Sequence, residues 1–325
     1  MINYIIRRLL GIVPLLLGIT LISFMIIHLA PGKPTTIEQG LNLKVSSDTR
    51  LRLEKLYGLD KPLHIQYFNW LSRLLKFDFG LSISEGRPVK DKILERIPLT
   101  LSINILSLIL ILLIAIPLGV HSALKPGSLF DNTTTILLFL FFAAPTFWLA
   151  LLLMQLFGIN LGWFPISGVR SLDFEQFSWW QKVADLARHL FLPVVASSIG
   201  GLAGTCRYMR ANMLDALNEP YIYTAKAKGL PQAKVIYKHA LRNAILPIVT
   251  ILGLSIPGLL GGSVIFEYIF ALPGIGELFY RAVMMRDYNL IMAEVVLGAV
   301  LTMLGNLIAD IAYAYVDPRI RYHNK

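Results

Sequence analysis

From Leu99 to Val120 the chain reads Leu-Thr-Leu-Ser-Ile-Asn-Ile-Leu-Ser-Leu-Ile-Leu-Ile-Leu-Leu-Ile-Ala-Ile-Pro-Leu-Gly-Val, without one charged side chain. A helix of about 20 apolar residues is as long as the hydrocarbon core of a bilayer is thick. Apolar residues lie on every side of such a helix, so it has no polar face to turn toward water. The bilayer is therefore its solvent. Five further stretches read the same way: Leu9–Leu29, Thr134–Phe157, Leu190–Tyr208, Ala244–Phe266 and Leu290–Tyr315. The first exceeds the roughly 7–15 residues of a signal-peptide core and runs into Ala30-Pro31-Gly32, which marks it as an uncleaved anchor. The fourth is the weakest, because Pro193, Gly200, Gly201 and Gly204 interrupt it. The expected fold is all-α: a polytopic membrane protein with six transmembrane helices.

Composition agrees. Of 325 residues, 55% are hydrophobic and 15% charged, where soluble domains carry about 25% charged residues. A single cysteine, Cys206, rules out an internal disulfide framework and reads as a small packing residue. The net charge of +10 is distributed by side. With both termini in the cytoplasm, thirteen basic residues face four acidic ones (Asp131, Asp215, Glu219, Asp317) on that side. The two short outer loops are nearly balanced, and the long first loop obeys the positive-inside rule poorly, as long translocated segments do. Basic residues so placed meet anionic lipid, not nucleic acid.

These boundaries predict an N-terminal segment with its helix over 1–30, an outer loop with short helices over 31–98, and a five-helix core over 99–325 that contains a cytoplasmic segment at 213–243. In the outer loop, Leu51–Pro62 reads as a short helix stopped at Gly58, Ile65–Leu75 has helical spacing, Ser84–Pro88 is a turn, and Val89–Ile97 is an amphipathic lead into the second span. This loop is the expected surface for an external protein.

The cytoplasmic segment is punctuated at both ends. Asn218 reads as a helix cap with Glu219 and Pro220 in the first turn. Lys226 and Lys228 occupy the last turn, Gly229 the position that favours positive φ, and Pro231 follows. A second helix sets Ala233, Ile236, Tyr237, Ala240, Leu241 and Ala244 on one apolar face and Lys234, Lys238 and Arg242 on a basic stripe.

Catalytic signatures are absent. The one Gly-Lys pair, Gly32-Lys33, is followed by Pro34, so there is no phosphate-cradling loop. The six histidines lack zinc-hydrolase spacing, and there is no Gly-x-Ser-x-Gly elbow. Glu267, Glu294 and Asp310 fall near span ends, where a wet interfacial position is the ordinary reading. Gly200-x-x-x-Gly204 and Gly258-x-x-x-Gly262 permit close helix contact, and Pro145 and Pro257 permit kinks. These six residues are the candidates for hinges or for the lining of a pathway.

The run Tyr221-Ile222-Tyr223-Thr224-Ala225-Lys226-Ala227-Lys228-Gly229-Leu230, with His239-Ala240-Leu241-Arg242-Asn243-Ala244-Ile245-Leu246-Pro247 after it, resembles the loop that permeases of the dipeptide/oligopeptide/nickel importer family insert into their ATPase subunits. The general motif of the wider superfamily begins Glu-Ala-Ala, and only Ala225, Gly229 and Leu241 match it here; the peptide branch departs in this way. Further resemblances follow in family order: Arg7-Arg8-Leu9-Leu10, Leu29-Ala30-Pro31-Gly32, Tyr57–Pro62, Asp78-Phe79-Gly80, Pro145-Thr146-Phe147, Gly162-Trp163-Phe164-Pro165, Phe270–Gly276, Arg286-Asp287-Tyr288 and Asp317–Arg321. The resemblance implies a type I permease fold in a bacterial inner membrane. It implies a second, homologous permease, two ATPase subunits that bind ATP and Mg, and an external solute-binding protein. It also implies that residues 221 and 224–230 couple to the ATPases. No cofactor or metal is expected on this chain. The implied cargo is di- or oligopeptides; nickel, glutathione or an oligosaccharide are alternatives. A secondary carrier or channel would instead place carboxylates mid-span.

Overall fold

The structure, a computed structural model, describes residues 2–29, 55 and 58–316, with side chains from residue 10 onward except at 254, 256, 257 and 309–316. Among these residues all regular structure is helical, and one isolated bridge joins Leu81 to Pro88. Among the described residues five helices are long and apolar enough to cross a membrane, six if one bent pair makes a single span. The chain forms two compact units: Met1–Thr100 with Leu260–Val264 and Pro273–Leu307, and Leu101–Leu259 with Ile265–Leu272 and Ile308–Lys325.

The first unit contains α1 (Ile2–Leu29), α2 (Leu63–Leu74), the start of α3 (Val89–Leu124), and most of the last two helices, described below. The amphipathic lead at Val89 and the second span are one 36-residue helix. Phe24 of α1 and Trp70 of α2 pack with Met292 and Val296. The buried carboxylate of Asp287 ties the 81–88 turn to the same unit. Its Oδ2 accepts from the Ser82 hydroxyl, from Ser84 Oγ at 2.8 Å and from the Ser84 N–H at 3.2 Å. The ammonium of Lys92, 4% exposed, donates to Ser82 Oγ at 3.2 Å and pairs with Glu85 at 3.0 Å. The helix expected over Leu51–Pro62 lies largely outside the described residues, as does the charged tail from Asp317.

In the second unit, α3 continues and is followed by α4 (Leu129–Ala143) and α5 (Thr146–Leu153), which runs on as a π-helix over Met154–Asn160. The third predicted span is therefore two helices bent by 103°. The break falls at Ala144, ψ 139°, because a residue before proline is driven out of the helical region, and Pro145 begins the next helix. The weakest predicted span becomes the longest helix, α6 (Trp179–Leu217), 39 residues with Pro193 inside. The Val194 carbonyl accepts from Ser107 of α3 at 3.2 Å and from Ser198 of its own helix at 2.6 Å. The Ser107 hydroxyl thereby ties α3 to α6, as serine side chains do between helices in a medium without water.

After α6 come α7 (Pro220–Ala227), a π-helical turn at Lys234–Ala240, α8 (Leu241–Ala244) and α9 (Leu246–Ser255). A short 3-10 stretch at Ile256–Leu260 leads to the non-helical residues 261–263. Then follow α10 (Val264–Ile269), α11 (Ile275–Met284) and α12 (Tyr288–Val316). The fifth predicted span is thus not one helix. Its membrane-length stretch begins earlier, at Lys234, and ends at Gly253, and the Gly261-Gly262-Ser263 run cannot continue it. A Cβ at Gly262 would lie 2.1 Å from the backbone nitrogen of Gly276, so only glycine allows that approach.

Glu267 and Glu294 are 4% and 7% exposed, buried within the protein rather than wet at an interface. The side chain of Asp310 lies outside the described set.

Candidate coupling site

The residue that caps α7 is Glu219, not Asn218 as the sequence suggests. Glu219 is extended (φ −77°, ψ 146°), as the residue before proline must be, and Pro220 takes the first helical position, where its missing N–H costs nothing. Asn218 instead ends α6. At the other end Gly229 has φ +71°. Its N–H donates to the carbonyl of Lys226 at 2.9 Å, and the N–H of Leu230 donates to that of Ala225 at 3.4 Å. This double closure is a Schellman motif, and it satisfies carbonyls that the last turn leaves open.

The helix is seated by Ile222 and Ala225, 0% and 5% exposed. They join a cluster with Val120 and Ala123 of α3, Met209, Met213 and Ala216 of α6, and Val235, Ile236, Ala240 and Ala244 from the following segment. Leu230 packs on its edge. Ala225 therefore faces inward, although the resemblance places it among the residues that couple to the ATPases. The open face carries Tyr221, Tyr223, Thr224, Lys226, Ala227, Lys228 and Gly229. The Lys226 ammonium lies 5.8 Å from the ring centre of Tyr223.

The expected apolar face of the next helix is kept at Ile236, Ala240 and Ala244, which are buried, and at Leu241, which packs against them, but it shifts at its start. Ala233 and Tyr237 are exposed, and Val235 is buried instead. The cause is the π-turn over Lys234–Ala240: bonding from i to i+5 widens the turn and resets the face that a regular helix would present. Lys234, Lys238 and Arg242 stay exposed, as the basic stripe requires.

Sequence reasoning missed an ion pair beside this cluster. Asp131 of α4, 2% exposed, accepts from Arg210 Nε and Nη2 of α6, both at 2.7 Å, and from the N–H of Gly127 at 2.9 Å. Ser128 caps α4 by accepting from the N–H of Asp131 at 3.2 Å. The local signal was only an acid in a capped first turn; its partner is 79 residues away. A cavity of about 690 Å³ opens beside the pair, lined by Thr134, Thr135, Phe139, Gly204 and Arg207 among others.

The hinge candidates separate into distinct roles. Pro145 opens α5 after the 103° bend. A Cβ at Gly200 would meet Thr146 at an ordinary 3.6 Å, and Gly204 faces open space. The tight position lies elsewhere: a Cβ at Gly119 would lie 2.8 Å from the carbonyl of Cys206, whereas one at Gly201 would meet only the movable end of the Ile111 side chain. Close contact of α3 and α6 therefore depends on Gly119 rather than on the Gly200/Gly204 pair. Gly258 faces open space, Gly262 is the close approach noted above, and Pro257 sits in the 3-10 stretch. Among the described residues no three His, Cys, Asp or Glu side chains stand close enough to hold a metal ion.

A family model described as the inner-membrane component of binding-protein-dependent transport systems matches residues 115–322. The model for the N-terminal part of such membrane components matches residues 1–104. The oligopeptide transport system permease protein AppB of Bacillus subtilis is 47% identical over 320 residues, 98% of this chain and 99% of AppB. The glutathione transport system permease protein GsiC of Salmonella typhimurium is 37% identical over 322 residues, 99% of this chain and all of GsiC. The dipeptide transport system permease protein DppB of Escherichia coli is 35% identical over 338 residues, 99% of each chain. With models spanning nearly its whole length and such relatives end to end, the chain belongs to the family of inner-membrane components of binding-protein-dependent transport systems.

Proposed function

We propose that this chain is one of two homologous permease subunits of an ATP-driven importer of di- or oligopeptides. Two ATPase subunits bind ATP and Mg, and an external binding protein delivers the peptide. The termini lie in the cytoplasm, and the residues Tyr221 and Thr224–Leu230 transmit ATPase closure to the pathway. The observation that carries this reading is α7: a helix closed at both ends, seated through Ile222 and Ala225 on α3 and α6, with Tyr221, Tyr223, Thr224 and Lys226 left exposed. A lever must be rigid, joined to what it moves, and open to what moves it. Relatives that carry oligopeptides, dipeptides and glutathione favour a peptide-sized cargo.

The test is uptake into membrane vesicles containing the complete importer and its binding protein. A labelled tripeptide should enter only with hydrolysable ATP and be displaced by unlabelled peptides. Uptake that runs on a proton gradient without ATP would remove the reading. Competition by glutathione but by no other peptide would reassign the cargo.

A further inference from the structure

The last turn of α11 and the start of α12 frame a groove with α1. Its volume is about 440 Å³, and Ile26, Ile27, Phe279, Val283, Ile291 and Val295 make its walls. Arg286 stands among the residues that line it, in the turn between α11 and α12. Its Nη1 is buried and, among the described residues, has no hydrogen-bond partner. The neighbouring carboxylate does not serve it, because Asp287 is engaged with Ser82, Ser84 and the N–H of Leu290. A buried guanidinium N–H left without an acceptor is costly, and phosphate oxygens suit it.

Depth identifies the phosphate. The apolar span of α12 begins at Tyr288, and that of α1 ends at Leu29. The rings of His28 and Tyr288 are 4.7 Å apart, so these two ends lie at one level. Arg286 precedes the span by two residues and therefore stands at headgroup height, with Tyr288 as the interfacial aromatic below it. From Tyr288 the groove continues past Ile291 to Val295, about 10 Å deeper at 1.5 Å per residue. On α1 the groove is bounded by Ser23, Ile26 and Ile27, of which Ile26 is exposed. A charged top above an apolar channel of that depth matches a phosphate joined to an acyl chain.

We infer that Arg286 and this groove bind one anionic glycerophospholipid, with its phosphate on the guanidinium and an acyl chain between α1, α11 and α12. A guanidinium with a buried N–H left without an acceptor favours an anionic headgroup over a zwitterionic one, whose own cation competes for the phosphate.

Delipidated importer, purified as the whole complex, would be titrated with phosphatidylglycerol or phosphatidylcholine and followed by native mass spectrometry. The expected result is one retained phosphatidylglycerol that phosphatidylcholine does not displace. Arg286→Gln should weaken its retention roughly tenfold or more. Val283→Trp, at an exposed wall position, should block the groove and carries the test if Arg286→Gln fails to assemble. Equal retention of both lipids would overturn the inference. So would unchanged retention in Val283→Trp, or efficient crosslinking of Ile26→Cys to a second permease subunit, which would mean that protein fills the groove.

Discussion

Gly229 offers a graded test of whether α7 works as a rigid lever. Its φ of +71° is open to glycine, tolerable for asparagine and strained for other residues. A Cβ built there meets nothing within 4 Å, so a substitution is penalised by backbone conformation and not by collision within this chain. For an ordinary L residue the left-handed conformation costs roughly 1–2 kcal/mol, and β-branching adds to it. Escape to negative φ would break the two closing bonds, from Gly229 to the carbonyl of Lys226 and from Leu230 to that of Ala225, and would re-aim the chain entering Pro231. A penalty of one or two kcal/mol corresponds to a factor of roughly 5–30 in the population of the closed form.

Substrate-stimulated ATP hydrolysis by the assembled importer should therefore fall in the order Gly229, Asn, Ala, Val. Gly229→Asn should stay within about twofold of the parent, and Gly229→Val should lose roughly 5–30-fold. Membrane insertion should not change, because the position lies outside the spans. Membrane vesicles report hydrolysis and import together. Normal coupled import by Gly229→Val would refute the lever. If Gly229→Asn fails as badly as Gly229→Val, side-chain bulk against a partner matters there and the conformational argument is wrong.

Two further outcomes follow from the same region. Ala225→Asp should leave insertion intact but unseat α7, because an unpaired carboxylate among Ile222, Val235 and Ile236 costs several kcal/mol; limited proteolysis should then cut between α6 and α8, and uncut, fully coupled protein would contradict the inward orientation of Ala225. Asp131→Asn should lower the thermal midpoint of the purified complex by removing a bidentate charge pair, worth about 1–3 kcal/mol because the Arg210 side chain is 30% exposed. Adding Arg210→Gln should cost little more, and fully additive losses would show that the two groups do not act as a pair.

What could be read from the sequence was what local chemistry decides. The uncharged run at Leu99–Val120, the anchor ending at Leu29 and the final span at Leu290 appear as helices because length and apolarity alone settle them. The Gly229 cap was legible because positive φ has a residue signature. Hydropathy averages over a window and cannot see backbone geometry within it, so the bend at Ala144-Pro145 was read as one span. The same averaging carried the fifth span through Gly261-Gly262-Ser263, where the governing contact, Gly262 against Gly276, is a tertiary one. The π-turn at Lys234–Ala240 misled the helical wheel in a similar way, since a wheel assumes the turn that this segment lacks.

The least legible features are the polar groups that each unit buries. Asp131 meets Arg210 across 79 residues, and Asp287 meets Ser82 across 205. In sequence each carboxylate looks like an ordinary loop or helix-end acid. In the folded chain each is nearly water-free and saturated with donors, a condition a low-dielectric interior demands of any charge it holds. These pairs resolve what apolar packing leaves open. An apolar helix in lipid can slide or rotate against its neighbour with little change in contact area, since the lipid competes on equal terms. A bidentate pair between α4 and α6 has only one register. It stands beside the cluster that seats α7, so the geometry that holds α6 against α4 also fixes the frame on which α7 rests. α7 rests on α6 through Ile222 and Ala225, and the register of α6 against α4 is set at Asp131–Arg210, so the seat of α7 and the one-register pair belong to the same helix.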